Sequence, residues 1–402
     1  MKAFFSLYSS AFARLPRNVW ILSITMFINR SGSMVLLFTS LYLTKNLGLS
    51  LKEAGLVMSF YGIGSVLGSY AGGWLTDRKN FNSIMLFSLI SSGLVLLLML
   101  IARHIVFVGA IVFVYALLSD MFRPANSAAI AAYSSSENRT RSVSLVRLAI
   151  NLGFSVGPAV GGFVAMHLGY KWLFVIDACS SFGAAAMLFF YLPEVKNERS
   201  VHHKQMLADN KTSAYRDSWY LFFVCLVALY GMIFFQLFAS IPQYFSKACH
   251  YSEDTIGLLL ALNGLLVVVI EMPLITYLGH HDNIFRFIIM GVMCLPVSFA
   301  FLLFGKAMII WAIVYTLFIT MSEIFAMPFM MNFVLSRPLK ERQGQYSALY
   351  SIAYGIANIS APVVGLGLAE RFGFDVLFLV LIGLSLLLAY GFNLLRIKQH
   401  LL

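Results

Sequence analysis

Charged residues are scarce in this sequence. Only 11% of its 402 residues are Asp, Glu, Lys or Arg, whereas a soluble domain carries about 25%. Hydrophobic residues make up 60% of the chain, and a water-soluble protein of this length could not bury so much apolar surface in its core. We therefore expect lipid to be the solvent for most of the chain.

Cysteine is also rare, and its spacing excludes several classes of site. The four cysteines lie far apart, without a CxxC pair and without clustered histidines, which argues against a disulfide framework and a zinc or iron–sulfur centre. The sequence has no nucleotide-binding loop and no recognisable nucleophile–base pair. We expect a protein that is not an enzyme, has no cofactor, and draws any energy it uses from an ion gradient.

Apolar runs are what the sequence has in abundance. A membrane-spanning helix needs about 20 mostly apolar residues, and windows of that length predict twelve spans, numbered here 1 to 12. Their ranges are 19–44, 53–75, 83–101, 104–133, 143–168, 171–192, 217–246, 253–279, 284–304, 307–335, 345–369 and 374–396. The fold predicted is an all-α membrane protein of two pseudo-symmetric six-helix bundles, 1–192 and 218–402, joined by a polar cytoplasmic linker, 193–217.

The formal charge of +11 is interpreted as a topology signal. Lys and Arg collect in the cytoplasmic loops of membrane proteins, and placing both termini in the cytoplasm puts about 18 of them on that side against 7 on the other. No nucleic-acid motif accompanies the charge. We expect a multi-pass monomer whose partners are the bilayer, protons and a small-molecule substrate, and not nucleic acid.

Ionisable residues within the spans are few, and such residues usually face a cavity or mark an ion or substrate path. The alternative is that they pair across helices and hold the bundles in register. The candidates for proton coupling or substrate binding are Arg30, Asp120, Arg123, Glu271 and Glu323. Asp120 and Arg123 are three residues apart in span 4, so they share a helix face and can pair. Asp177, in span 6, is interpreted as structural.

Aromatic and polar residues at mid-span positions are candidates for a central cavity. They are assigned by position alone, and they are Tyr61, Tyr115, Tyr230, Phe234, Gln236, Asn263 and Tyr350. Apolar, adaptable walls suit varied ligands.

Two motifs resemble signatures of the major facilitator superfamily. GGWLTDRKN follows span 2, and NLGFSVGPAVGG lies in span 5; the second is similar to the glycine–proline motif of drug–proton antiporters. The resemblance implies the major facilitator fold and a gating or conformational role for the motif residues and for Arg147 at the start of span 5. These residues are Gly73, Asp77, Arg78, Arg147, Gly153, Gly157, Pro158, Gly161 and Gly162.

Further stretches carry the resemblance along the chain. SEIFAMPFMMNFV in span 10 is similar to a glutamate-then-proline pattern of bacterial exporters, and SAPVVGLG in span 11 echoes the span 5 motif. The resemblance implies a proton-coupled antiporter of a bacterial inner membrane that exports small amphipathic or charged molecules. The alternative is a proton-coupled importer of an anionic or zwitterionic nutrient, such as a peptide or organic acid, whose charge Arg30 would bind.

Overall fold

A computed structural model of the chain describes residues 15–32, 34–76, 78–135, 139–193, 214–278, 284–305, 308–336 and 343–399. The described residues are almost entirely α-helical, with no β-strand among them. Eleven of their helical stretches are long and apolar enough to cross a bilayer. The predicted all-α membrane fold is therefore confirmed. The predicted linker lies largely outside the described residues, and its bounds and those of the two bundles stay a prediction.

The helices follow the predicted spans to within a few residues at most ends. Span 1 is made of Arg17–Gly32 and Val35–Lys45, neither of which is long enough to be counted among the eleven. The other spans are Leu51–Thr76, Phe81–Leu97, Ile105–Asp120 with Phe122–Tyr133, Arg139–His167, Tyr170–Tyr191, Ser218–Phe234 with Ser240–Lys247, Glu253–Leu278, Ile284–Gly305, Ile309–Ser336, Gln343–Phe372 and Phe374–Gln399.

Spans 4 and 7 are each divided into two helices ahead of a proline. Proline has no backbone N–H, so the carbonyl four residues earlier loses its helical partner. Pro124 removes the partner of the Asp120 carbonyl, and the first helix of span 4 ends at Asp120. Pro242 lies in the first turn of the second helix of span 7, after the 3-10 turn Phe235–Leu237.

The described residues fall into two compact units. Unit 1 lies within Met1–Phe38 and Ile63–Glu198, and unit 2 within Thr39–Gly62 and Arg199–Leu402. The same helix pairs pack in each unit: spans 1 and 5, 1 and 6, 3 and 4, and 3 and 6 in unit 1, with spans 7 and 11, 7 and 12, 9 and 10, and 9 and 12 in unit 2. Repeated pairing of this kind is what an internal duplication produces.

Thr39–Gly62, from the end of span 1 and the start of span 2, packs with the rest of unit 2. Lys45 Nζ lies 2.8 Å from Glu253 Oε1, and Gln243 Nε2 donates to Thr44 Oγ1 at 2.8 Å. The backbone amide of Lys52 donates to Glu370. A Cβ added to Gly55 would lie 2.7 Å from the Pro362 carbonyl oxygen, so this glycine permits the backbones to approach closely.

Very short turns join spans 5 and 6, through Leu168 and Gly169, and spans 11 and 12, through Gly373 alone. Gly169 has φ 92° and ψ 158°, and Gly373 has φ 85°. The two glycines are 204 positions apart, as are the helix prolines Pro158 and Pro362. A positive φ is accessible to glycine at little cost but strained for other residues. The duplication therefore extends to the backbone geometry of the connections.

We predict that Gly169→Ala and Gly373→Ala each lower the free energy of unfolding by about 1–3 kcal/mol, the usual cost of a non-glycine residue in such a conformation. A Cβ at either position meets no atom within 4 Å, so the loss isolates backbone strain. Thermal unfolding of the detergent-purified protein measures it.

Gly183→Ala and Gly383→Ala are the matched controls, one in each unit. Both glycines are helical, and an added Cβ at either meets nothing within 4 Å. Equal stability of the turn variants and these controls would refute the role of positive φ.

Candidate functional site

Asp120 and Arg123 form an ion pair in span 4, which confirms that the two side chains pair. Arg123 Nε lies 2.9 Å from Asp120 Oδ1, and the Ser65 hydroxyl of span 2 donates to Asp120 Oδ2. The Asp120 side chain is 1% exposed, whereas that of Arg123 is 54% exposed. The carboxylate is thus buried with a charged and a neutral donor already directed at it.

Arg30 lies in a second polar cluster of unit 1. Its guanidinium carbon is 5.5 Å from the centre of the Phe154 ring, and it is within electrostatic range of Asp177. Asp177 is buried, and the Tyr115 hydroxyl donates to its Oδ2 at 3.5 Å. The structure therefore brings together the span 1 arginine, a candidate cavity tyrosine and the carboxylate interpreted as structural.

The glycines of the span 5 motif hold span 1 at close range. A Cβ added to Gly153 would lie 2.6 Å from Arg30 Cβ, one on Gly157 3.2 Å from the Ser31 carbonyl oxygen, and one on Gly161 3.0 Å from Met34 Cβ. Pro158 and Gly162 are buried in the same helix. Because a side chain on this row would push span 1 away, the motif holds the backbone at Arg30 and Ser31 close to span 5.

Span 2 carries a glycine row that the sequence analysis missed. A Cβ added to Gly64, Gly68 or Gly72 would lie 2.3, 2.2 or 2.6 Å from the carbonyl oxygens of Phe113, Leu117 and Met121, respectively. The four-residue spacing of these glycines is the signal that could have revealed it. The row brings span 2 against span 4, and Ser65 beside it reaches Asp120.

Of the other motif residues, Gly73 and Arg78 lie at or just after the end of span 2, and Arg147 lies two turns inside the span 5 helix. A Cβ added to Gly73 meets nothing within 4 Å, and Arg78 stacks over Trp74, 3.7 Å from its ring centre. Asp77 lies outside the described residues. Arg147 is exposed in span 5. The gating roles of these residues stay predictions.

Glu323 of unit 2 is partly buried near the middle of the helix Ile309–Ser336. Asn263 Nδ2 of span 8 donates to Glu323 Oε2 at 3.2 Å and to Thr320 Oγ1 at 2.9 Å. Glu271 of span 8, 7% exposed, is within electrostatic range of Glu323. Two candidate carboxyl groups and a candidate amide thus form one cluster between spans 8 and 10.

Aromatic side chains surround this cluster within unit 2. Tyr230 is buried, and its hydroxyl lies 3.2 Å from Ser322 Oγ, next to Glu323 in the chain. The Tyr350 hydroxyl donates to that of Tyr354 at 3.4 Å, and both tyrosines are partly buried in span 11. Tyr230 and Tyr354 both lie close enough to Glu323 to interact with its charge.

The remaining cavity candidates have different surroundings. Phe234 is buried and stacks on Tyr230. Gln236 is fully buried, and its amide nitrogen donates to the Ala361 carbonyl oxygen at 2.9 Å, so it joins spans 7 and 11. Tyr61 is partly buried. A role for these three in a substrate cavity stays a prediction.

Three residues of these clusters were not predicted from the sequence to be functional. Asp177, Thr320 and Tyr354 lie beside predicted residues, but each meets its partner across helices far apart in the chain. For Asp177, its charge within an apolar span was the available signal. Thr320 and Tyr354 belong to residue types that are common in membrane spans, so nothing in the sequence distinguished them.

We predict that Arg123→Gln destabilises the protein more than Asp120→Asn. Removing the guanidinium leaves a buried carboxylate without its cation, which costs about 1–3 kcal/mol. The double variant Asp120→Asn/Arg123→Gln removes both charges and is expected to recover most of the loss. Thermal unfolding of all four proteins forms a double-mutant cycle, and strict additivity would show that the pair carries no coupling.

We further predict that Gly72→Ala destabilises the protein while Gly73→Ala leaves its thermal unfolding unchanged. The two glycines are neighbours in one helix, but only the Cβ on Gly72 meets backbone atoms, those of Met121 at the break in span 4. Identical melting temperatures for the two variants would contradict the close contact.

Similar proteins were found at the level of sequence and of structure. YttB, an uncharacterized MFS-type transporter of Bacillus subtilis, is 26% identical over 93% of this chain and 94% of its own length. Multidrug resistance protein MdtG of Salmonella paratyphi A is 23% identical over 95% of this chain and 96% of its own. A crystal structure of a POT family transporter in complex with 5-aminolevulinic acid superposes with a TM-score of 0.79 over 95% of this chain and 96% of its own, at 12% identity.

The structural likeness shows the fold, and the family follows from the sequence. The family model of the Major Facilitator Superfamily matches residues 19–362, which covers both glycine motifs, the Asp120–Arg123 pair and the Glu323 cluster. The chain belongs to the Major Facilitator Superfamily of membrane transporters.

Proposed function

We propose that this transporter exports small amphipathic or charged molecules in exchange for protons, by alternating access. The observation that carries the proposal is the partly buried Glu323 carboxyl group, bonded to the neutral Asn263 amide and surrounded by tyrosines. A carboxyl group in an apolar span can couple transport to protons when it is free to gain and lose one.

Glu323 suits proton coupling better than Asp120 does. Asp120 is held in an ion pair with Arg123 and accepts a hydrogen bond from the Ser65 hydroxyl. No Lys or Arg of the described residues forms an ion pair with Glu323, and its neighbour Glu271 is another acid. Among the described residues, Glu323 is therefore not held by a cation as Asp120 is.

The surroundings of Glu323 support an amphipathic or charged cargo. The faces of Tyr350 and Tyr354, both only partly buried, offer apolar surface with polar edges, and aromatic faces attract organic cations. A deprotonated Glu323 would add a negative charge to such a site. Competition between a proton and the cargo for Glu323 provides antiport without further machinery.

Export is favoured over import by sequence similarity to proteins named for multidrug resistance. The alternative, import of an anionic or zwitterionic nutrient, depends on Arg30 meeting the substrate. The position of Arg30 near Asp177 and Phe154 inside unit 1 gives it packing partners, which weakens that alternative.

We propose that the transporter lies in a bacterial inner membrane with both ends in the cytoplasm. The relatives are bacterial proteins, and the excess of Lys and Arg near both termini supports a bacterial inner membrane with cytoplasmic ends. We also propose that a monomer carries out transport.

Uptake into everted membrane vesicles under an imposed pH gradient tests direction and coupling. With a panel of organic cations, zwitterions and anions, proton-driven accumulation in everted vesicles is expected for an exporter. Accumulation only in right-side-out vesicles would establish the import alternative. A sodium-driven flux that ignores pH would overturn both.

We predict that Glu323→Gln abolishes pH-driven accumulation while the protein stays folded. Glutamine keeps the shape and can still bond to Asn263, but it cannot carry a proton. Transport is measured in vesicles, and folding by thermal unfolding and size-exclusion chromatography.

Asp375→Asn is the matched control, because it makes the same chemical change at an exposed carboxylate of unit 2. If Glu323→Gln accumulates substrate at the rate of this control, Glu323 is not the proton-coupling group. Loss in both variants would show that the assay responds to surface charge.

A further inference from the structure

Span 1 is broken within the membrane, and the break leaves helix ends that need partners. The first helix ends at Gly32, and the second begins at Val35. The N–H groups at a helix start have no acceptor in a preceding turn, and together they carry a partial positive charge. Because hydrocarbon contains no water to satisfy them, another element of the protein must do so.

Span 6 supplies an acceptor for the second helix. The backbone N–H of Val35 donates to the carboxylate of Asp177, which is 1% exposed. The two spans are in close contact at this level, because a Cβ added to Gly32 would lie 2.4 Å from Ser180 Cβ and 3.7 Å from Asp177 Cα. Asp177 therefore caps the second helix of span 1 from a span that is distant in the chain.

The other side of the break carries the opposite charge. Arg30 lies in the last turn of the first helix, where a cation interacts favourably with the helix dipole. It is also within electrostatic range of Asp177, and the Tyr115 hydroxyl of span 4 donates to Asp177 Oδ2. Among the described residues, Arg30 and Tyr115 are the titratable groups that interact with this carboxyl group.

The other helices packed against span 6 add no titratable group at this level. The span 3 helix Phe81–Leu97 contains none. In span 5 the level of the break is marked by Gly157, where an added Cβ would lie 3.2 Å from the Ser31 carbonyl oxygen. Arg147 and His167 are each ten residues from Gly157, which is about 15 Å along a helix.

Opposing influences act on the Asp177 carboxyl group. Its Oδ1 is buried with no hydrogen-bond partner among the described residues, and an incompletely bonded carboxylate is costly in an apolar interior. The start of the second helix and Arg30 favour the charged form instead. A bound proton removes both attractions and makes the group a weaker acceptor for the Val35 N–H. A proton needs no cavity, because the Tyr115 hydroxyl can pass one on.

The break in span 7 shows that a broken span can be held without an acid. It lies at the 3-10 turn Phe235–Leu237, and neutral groups bridge it. The Ser240 hydroxyl donates to Gln236 Oε1, and Gln236 Nε2 donates to the Met232 carbonyl oxygen at 3.1 Å. Packing alone therefore does not require the acid found at the break of span 1.

We propose that Asp177 is a proton-operated cap on the break of span 1. The charged carboxylate holds the start of the second helix at Val35, and protonation releases it. The step forms one O–H bond on the carboxylate and is reversed when the proton returns to water. The first segment of unit 1 ends at Phe38, and Thr39 begins unit 2. A proton bound in unit 1 thus acts on the helix through which the chain enters unit 2.

Hydrogen–deuterium exchange of the full-length protein in lipid nanodiscs tests the proposal at mildly acidic and mildly alkaline pH. Peptides from Val35–Lys45 are compared with peptides from the start of span 3, which is capped by the neutral Asn80. The ratio of the two removes the intrinsic effect of pH on exchange. We expect the Val35–Lys45 amides to exchange about tenfold faster, relative to this reference, at acidic pH, the scale of one charge-assisted hydrogen bond.

Asp177→Asn is the informative variant, because asparagine has nearly the shape of the protonated acid and cannot lose a proton. At alkaline pH this variant is expected to show the faster exchange that the unmodified protein shows at acidic pH. Asp375→Asn makes the same change at an exposed position of span 12 and is expected to exchange as the unmodified protein does.

Two results would overturn the proposal. Equal exchange of Val35–Lys45 in Asp177→Asn and in the unmodified protein at alkaline pH would show that Asp177 does not cap the helix. A relative exchange in the unmodified protein that is the same at both pH values would show that the cap does not respond to protons, and this result needs no variant. Transport is not measured, so the outcome is independent of the proposed export.

Discussion

A helix in hydrocarbon has no water to satisfy its backbone and gains little from burying one apolar side chain against another. Close contact between backbones is the main interaction left to hold such helices together, and rows of glycines permit it here. Gly153, Gly157 and Gly161 hold span 5 against span 1, and Gly64, Gly68 and Gly72 hold span 2 against span 4. The polar clusters of unit 1 depend on these contacts, because they set the positions of Arg30 and of Ser65 beside Asp120.

The two halves use charge differently at related positions. In span 4 the first helix ends at Asp120, four residues before Pro124. Arg123 and Ser65 both bind the Asp120 carboxylate. In span 10 the helix continues past Pro328, and Glu323 has an amide and a second acid as neighbours. The two halves therefore hold one carboxylate in an ion pair and one beside a neutral amide, and this difference is the basis for proposing Glu323 as the coupling group.

Composition and hydropathy predicted the fold well because bilayer thickness fixes the length of each apolar run. Span 8, predicted at 253–279, is the helix Glu253–Leu278. The division of span 1 at Gly32 was missed, because a window of twenty residues averages over a local break. Side-chain partners were harder to predict: the i, i+3 pair in span 4 followed from helix geometry, whereas Asn263 meets Glu323 across sixty positions, and nothing in either local sequence indicates the other.

The glycine turns at Gly169 and Gly373 also bear on how the chain enters the membrane. Two residues separate the helix of span 5 from that of span 6, and one residue separates the helices of spans 11 and 12. A connection this short cannot extend across the bilayer. The first helix of each pair therefore cannot insert fully while the second remains in water. During biosynthesis each pair is therefore expected to insert as a single helical hairpin, so a mutation that delays one helix delays its partner as well.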